Sequence, residues 1–65
     1  MINTTQKGYR EIEGINDIGK EVYFYDYTKK EFYIIGILKG FDCALYEIQT
    51  EQGIIQNFQT GYIKL

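Results

Sequence analysis

Three tyrosines at alternating positions are the residues of this chain best suited to chemistry at a surface. Tyr23, Tyr25 and Tyr27 take every second position of residues 20–28, so a strand would place all three on one face. A tyrosine ring offers an apolar body, a phenol tip and a π-face that can stack on a base or attract a cation. The stripe therefore predicts a contact surface. It could be covered by the N-terminal arm or a second copy of the chain, by a partner protein, or by a cation or base.

Two lysines follow the stripe and mark an exposed turn at Lys29 and Lys30. Proteins that bind single-stranded nucleic acid combine aromatic platforms with a basic groove. Three acidic residues offset the lysines near the stripe: Glu21, Asp26 and Glu31. The formal net charge of −2 also lacks the basic excess of nucleic-acid modules. Nucleic-acid binding by the tyrosine face is therefore the weaker alternative.

Residue types that usually carry catalysis or bind metals are scarce. The 65 residues include no histidine and one cysteine, Cys43, so a papain-type nucleophile, a histidine or thiolate metal site and an intrachain disulfide are excluded. A carboxylate pair such as Asp26 and Glu47 has no deep cleft to work in, because the chain is too short to build one. We expect no enzyme activity, catalytic residue, metal or cofactor, and we expect Cys43 to fill a small space in the core.

Five segments rich in β-branched and aromatic residues must position the stripe. They are residues 20–28, 31–39, 44–50, 54–58 and 62–65. The second segment is apolar on both faces, which predicts a long strand bent at Gly36. Turns are predicted at residues 40–42 and at 51–53, where Gly53 would supply a positive φ. Residues 1–17 show neither a helical nor a strand period and are predicted to be an irregular or partly ordered N-terminal arm.

The order of these elements resembles the SH3-like small β-barrel, and most of all its Tudor-like branch. The matching residues are Ile18-Gly19-Lys20-Glu21-Val22, Tyr33-Ile34-Ile35-Gly36-Ile37-Leu38, Leu45-Tyr46-Glu47-Ile48, Glu51-Gln52-Gly53 and Tyr62-Ile63-Lys64-Leu65. The resemblance covers residues 18–65 and implies an all-β, five-stranded barrel that binds peptides, methylated side chains, RNA or neighbouring domains. Tyr25, Tyr27 and Tyr33 fall near two of the three places of the Tudor aromatic cage. The third place, at residues 50–53, has no aromatic residue, and the chain lacks the tryptophan of SH3 domains that bind proline-rich ligands.

Taken together, the sequence predicts a small, non-enzymatic protein-binding module of the cytoplasm. The longest apolar stretch is far shorter than the roughly 20 residues of a membrane span, and the N-terminus has no apolar signal region. A composition rich in Ile, Lys, Asn, Tyr and Phe is typical of a phage or mobile element of a low-GC bacterium, which suggests an inhibitor or regulator of a host protein. The predicted partner-binding residues are Tyr23, Tyr25, Tyr27, Lys29, Lys30 and Tyr33. Single-stranded nucleic-acid binding and a self-associating structural subunit remain the alternatives.

Overall fold

Six antiparallel strands form one sheet in a computed structural model that describes residues 8–65. The strands are β1 (Tyr9–Glu11), β2 (Glu21–Asp26), β3 (Glu31–Asp42), β4 (Leu45–Thr50), β5 (Ile55–Phe58) and β6 (Tyr62–Lys64), with a 3-10 turn at Ile15–Asp17. They lie side by side in the order β1-β6-β2-β3-β4-β5. The all-β prediction is confirmed. None of the residues from 8 to 65 belongs to a helix long and apolar enough to span a bilayer.

The five predicted strands correspond to β2–β6, but one predicted turn is wrong. β3 runs through residues 40–42 to Asp42, and the chain reverses at Cys43 and Ala44 instead. Cys43 has a φ of 57°, in the left-handed region that this tight reversal requires. Its side chain is exposed, so the prediction that Cys43 fills the core is also wrong.

A sixth strand comes from the segment predicted as an irregular arm. Residues 1–7 of that segment lie outside the described residues, whereas Tyr9–Glu11 pairs with β6 along its whole length. Ile12, directly after this strand, is buried in the main core cluster. Residues 9–17 therefore belong to the same sheet and core as residues 18–65.

The core lies inside a strongly curled sheet. Its buried centre takes one apolar side chain from each of β2, β3, β4 and β6, namely Val22, Leu38, Ile48 and Ile63. Phe24 of β2 and Phe58 of β5 have ring centroids 5.2 Å apart although β3 and β4 lie between their strands. Three strand spacings in a flat sheet would separate them by about 14 Å. The sheet thus curls around its core without closing into a barrel, and β1 and β5 remain its two edges.

The bend predicted near Gly36 is present as a β-bulge. Val22 pairs with Gly36 but the next residue, Tyr23, pairs with Ile34, so one residue of β3 is left unopposed between them. Gly36 is required there for space, because a Cβ atom would overlap the backbone carbonyl oxygen of Gln49 on β4. The bulge and the absent side chain together let β3 bend while staying in contact with both neighbours.

A buried carboxylate fastens β1 to the start of β2. Asp17 is 1% exposed, and its two oxygens accept hydrogen bonds from the Arg10 guanidinium at 2.8 and 2.9 Å. The backbone N–H of Glu13 donates to the same carboxylate at 2.9 Å, and the Lys20 ammonium lies 3.3 Å away. These donors, led by Arg10, hold the pKa of Asp17 far below its usual range, against the opposing effect of burial. Asp17 therefore stays charged and fixes the position of β1 on the sheet.

Candidate contact surface

The pairing of β2 with β3 decides which way the tyrosine stripe faces. Val22 lies in the core, and strict alternation along the strand places Tyr23 and Tyr25 on the opposite side of the sheet. Across the β2–β3 ladder, Tyr25 stands opposite Phe32. Tyr23 and Tyr25 therefore share one face of β2, as the alternation predicts.

Six rings form a connected group on this outer side of the sheet, and we call it the aromatic face. Tyr9 stacks on Phe32 with centroids 3.7 Å apart and planes 12° apart, and it also meets the edge of Tyr23 at 5.3 Å. Tyr25 contacts both Phe32 and Tyr27 at 4.9 Å. Phe32 contacts Tyr62 at 5.5 Å. The members of the aromatic face are Tyr9, Tyr23, Tyr25, Tyr27, Phe32 and Tyr62.

The exposure of the rings increases from one end of the aromatic face to the other. Tyr62 is buried, Tyr9, Tyr23, Tyr25 and Phe32 are partly buried, and Tyr27 is 65% exposed. Part of the cover comes from β1, which lays Tyr9 across the neighbouring rings. The N-terminal segment therefore covers the predicted stripe in part and leaves its Tyr27 end open to solvent.

The two predicted lysines lie beside that open end, in the turn between β2 and β3. Asp26 organises the turn by accepting hydrogen bonds from the backbone N–H groups of Thr28 at 2.9 Å and Lys29 at 3.2 Å. Lys30 completes it with a φ of 56°. Both lysine side chains are exposed, so Tyr27, Lys29 and Lys30 are presented together.

Tyr33, the sixth predicted residue, is on the other side of the sheet. It pairs with Phe24, and the two rings meet edge to face at 6.2 Å, although Tyr33 itself is 47% exposed. Because neighbouring strand residues point to opposite faces, Tyr33 cannot join a cage with Tyr25 and Tyr27. The structure thus brings three of the six predicted residues, Tyr23, Tyr25 and Tyr27, into the aromatic face. Lys29 and Lys30 are exposed in the adjoining turn, and Tyr33 lies apart.

A depression of about 300 Å³ lies at the Tyr23 end of the aromatic face. Its lining residues are Lys20, Glu21, Tyr23, Ile63, Lys64 and Leu65. The Tyr23 hydroxyl donates a hydrogen bond to the Glu21 carboxylate at 3.2 Å. Partial burial, followed by the nearby carboxylate, raises the pKa of Tyr23, so the phenol remains neutral at physiological pH. The tyrosine is set up to donate a hydrogen bond, not to act as a base.

Sequence reasoning missed half of the aromatic face: Tyr9, Phe32 and Tyr62. Tyr9 lies in the segment that shows no period of its own, and Tyr62 reaches the group only because β6 pairs with β2. Phe32 could have been found from the four-residue connection between β2 and β3, since that hairpin register places it opposite Tyr25. The length of the turn between β2 and β3 therefore predicts the position of Phe32. Tyr9 and Tyr62 could be assigned to the aromatic face only from the order of the strands in the sheet.

The described residues supply contact groups and no metal-binding cluster. From residue 8 to residue 65, no group of three or more carboxylate or thiol side chains is close enough to hold a metal ion. Comparison with protein-family models, with curated proteins and with solved structures gave no match to this chain.

Proposed function

We propose that the chain is a small, non-enzymatic protein-binding module whose contact surface is the aromatic face at its Tyr27 end. The observation that carries the proposal is an aromatic group on the outer side of the sheet that ends in a tyrosine 65% exposed to water. Tyrosine is enriched at the energetic centres of protein interfaces, where its ring is buried and its hydroxyl finds a partner. Among residues 8–65, the ring contact of Tyr27 is the edge-to-face one with Tyr25, which leaves most of its surface available to a partner.

The charges around this end favour a protein partner over a nucleic acid. Lys29 and Lys30 are exposed beside Tyr27, but they are the only two cations of the turn, and Glu31 follows them directly. A phosphate backbone calls for several basic residues in a row. A protein with an apolar pocket and one or two acidic residues at its rim would match Tyr27 and the lysines.

The arrangement of strands supports an SH3-like, Tudor-like small barrel as the fold. The five strands of the resemblance, β2–β6, are consecutive in the chain, and β6 returns to lie beside β2. The sheet also curls until side chains of β2 and β5 touch. A meander that returns to its own first strand and curls around one core is the architecture from which small barrels are built.

The same composition that suggested a mobile genetic element supports a role inside a host cell. We infer a cytoplasmic inhibitor or regulator that acts by covering a surface of a host protein. A single exposed cysteine, Cys43, agrees with a reducing compartment, because exposed thiols are oxidised or cross-linked elsewhere.

The test compares two tyrosine substitutions, one in the turn between β2 and β3 and one on β3. Tyr27→Ala removes the exposed end of the aromatic face, whereas Tyr33→Ala removes an equally large, exposed ring on the opposite side. Affinity capture from the native host with mass spectrometry should recover a partner with the wild type and Tyr33→Ala, and should lose it with Tyr27→Ala. Circular dichroism should show the same β-sheet spectrum for all three proteins.

Two outcomes contradict the proposal. If Tyr27→Ala captures the same proteins as the wild type, the aromatic face is not the contact surface. If the wild type is instead retained on single-stranded RNA or DNA at low salt, and Tyr27→Ala is not, the face binds bases and the nucleic-acid alternative replaces the protein partner.

A further inference from the structure

The outer edge of the sheet at β5, a strand of four residues, carries neither of two features that commonly prevent edge pairing, a charged side chain and a proline. Edge strands are usually protected by charged side chains, by proline or by bulges. Residues 52–61 contain no charged residue and no proline, in a chain in which 25% of residues are charged. Ile55 begins β5 and is 54% exposed. The opposite edge, β1, differs, because it carries Arg10 and Glu11.

The hairpin that joins β4 to β5 shows which backbone groups this edge leaves open. The N–H of Thr50 donates to the carbonyl of Ile54 at 2.9 Å, while the carbonyl of Thr50 accepts from the N–H of Gly53 at 2.9 Å, so Thr50 and Ile54 take the first hydrogen-bonded position of this ladder. Hydrogen-bonded and non-hydrogen-bonded pairs alternate along an antiparallel ladder, which turns the N–H and C=O groups of Gln56 towards β4. The corresponding groups of Ile55 and Asn57 then point away from β4. Among the described strands, β5 pairs with β4 alone.

We propose that β5 of a second copy of this chain occupies this edge, antiparallel and related by a two-fold axis through Gln56. In that register Ile55 of each copy lies opposite Asn57 of the other. The open N–H and C=O groups of both residues are then satisfied by four backbone hydrogen bonds. The dimer would join the two six-stranded sheets edge to edge.

The occupant is a second copy because the edge is complementary to itself. Residues that face each other across an antiparallel two-fold must share a side of the sheet, and Ile55 and Asn57 do. Identical strands bring identical charges together at such an axis, which is unfavourable for most edges. Here the uncharged run of residues 52–61 removes that repulsion. At the centre, the two Gln56 side chains meet as a pair of amides that can each donate and accept.

This dimer is independent of the proposed partner-binding surface and goes beyond it. The rings of β2 and β5 that touch, Phe24 and Phe58, are on the core side of the sheet, whereas the aromatic face lies on the opposite side of β2. Edge pairing through Ile55 and Asn57 would leave Tyr27 exposed in both copies. The proposed function would then be carried out by a bivalent molecule with two aromatic faces.

Sedimentation velocity over a concentration series tests the dimer with a matched pair of lysine substitutions. Ile55→Lys places a charge from each copy at the two-fold contact, and we expect the dimer dissociation constant to rise about tenfold or more. Ile15→Lys introduces the same charge at a side chain that is 74% exposed in the 3-10 turn, far from β5 in sequence, and should leave the constant unchanged. A wild type that stays monomeric up to millimolar concentration overturns the proposal, as does an equal effect of both substitutions.

Disulfide trapping tests the register. In a Cys43→Ser background, Gln56→Cys would place two thiols opposite each other in a non-hydrogen-bonded pair, where Cβ atoms lie about 4.5–5.5 Å apart, close enough to bond after a small shift. Mild oxidation should then give a covalent dimer. Ile55→Cys, whose opposite residue is Asn57, should give little. Cross-linking of Ile55→Cys in preference to Gln56→Cys would refute the two-fold at Gln56.

Discussion

Replacing Asp17 by asparagine tests how far one buried carboxylate stabilises this fold. The substitution keeps the shape of the side chain and one acceptor oxygen. It removes the negative charge and turns one of the two groups that face Arg10 from an acceptor into a donor. The Arg10 fork, now bonded at 2.8 and 2.9 Å, would lose its bidentate partner.

The expected cost follows from the bonds and the burial of the carboxylate. Asp17 is 1% exposed and accepts three hydrogen bonds, two from Arg10 and one from the backbone of Glu13. A bond to a charged group contributes about 1.5–3 kcal/mol. The Arg10 side chain is 27% exposed and regains water when its partner is lost, which offsets part of the cost. We expect Asp17→Asn to lower the free energy of unfolding by about 2–3 kcal/mol, against the 3–5 kcal/mol a core this small supplies.

The same residue predicts a dependence on pH. The pKa of Asp17 is lower in the folded than in the unfolded state, so its stabilisation is complete above the unfolded value, about 4. The stabilisation is lost as the pH falls from there towards the folded value. The wild type should therefore lose stability below about pH 4 at a rate of up to 1.4 kcal/mol per pH unit from this group. Asp17→Asn lacks that contribution, so the gap between the two proteins should narrow at pH 2.5.

Urea unfolding at pH 6 and pH 2.5 measures both effects, with tyrosine fluorescence and circular dichroism as probes because the chain has seven tyrosines and no tryptophan. Glu13→Gln is the control. Its carboxylate is exposed and lies 3.8 Å from Arg10, so it should change stability by less than about 0.5 kcal/mol. If the free energy of unfolding of Asp17→Asn at pH 6 lies within about 0.5 kcal/mol of the wild-type value, the carboxylate does not hold β1 in place.

Two further substitutions test the backbone of β3 and its turn. Gly36→Ala should destabilise the fold by at least about 2 kcal/mol, because its Cβ would overlap the carbonyl of Gln49, whereas Gly40→Ala in the same strand should cost much less, since its Cβ would meet only the end of the Glu47 side chain at 2.9 Å. Urea unfolding of both variants would contradict this packing argument if Gly40→Ala were the more damaging. Cys43→Gly should stabilise by about 0.5–1 kcal/mol, because a φ of 57° is strained for any residue with a Cβ atom. An unfolding midpoint below that of the wild type would show that the thiol contributes contacts that its exposure does not suggest.

The strands and most turns could be predicted because their signals are local. Alternating aromatics defined β2, and Gly53 was correctly predicted to adopt a positive φ, which is 83°. The bend near Gly36 was also predictable from a strand that is apolar on both faces. The wrong turn at residues 40–42 shows the limit of such reasoning, because Gly40 was interpreted as a turn residue. Instead it lies inside β3, where the register with β4 shifts between Leu38 and Gly40.

β1 could not be predicted because its stability does not come from its own residues. Three residues with one tyrosine and two charges carry no strand signal. The strand exists because β6 offers an edge and because Arg10 reaches Asp17, seven residues later. The pairing of β1 with β6, at the other end of the chain, leaves no periodic pattern in the residues of β1. The same limit applies to the aromatic face, since Tyr9 joins it only through that strand.

The carboxylate and the contact surface are thereby connected through two adjacent residues of β1. Arg10 points to Asp17 on the core side of the sheet, while Tyr9 stacks on Phe32 on the outer side. Adjacent residues of a strand face opposite sides of the sheet but share one backbone. The ion pair of Arg10 on one side therefore also holds in place the ring of Tyr9 on the other. Loosening β1 by Asp17→Asn should therefore uncover Phe32 and enlarge the apolar part of the aromatic face without changing any residue on it. The folded population of that variant would then bind a partner of the aromatic face differently from the wild type, although the substituted side chain never touches the partner.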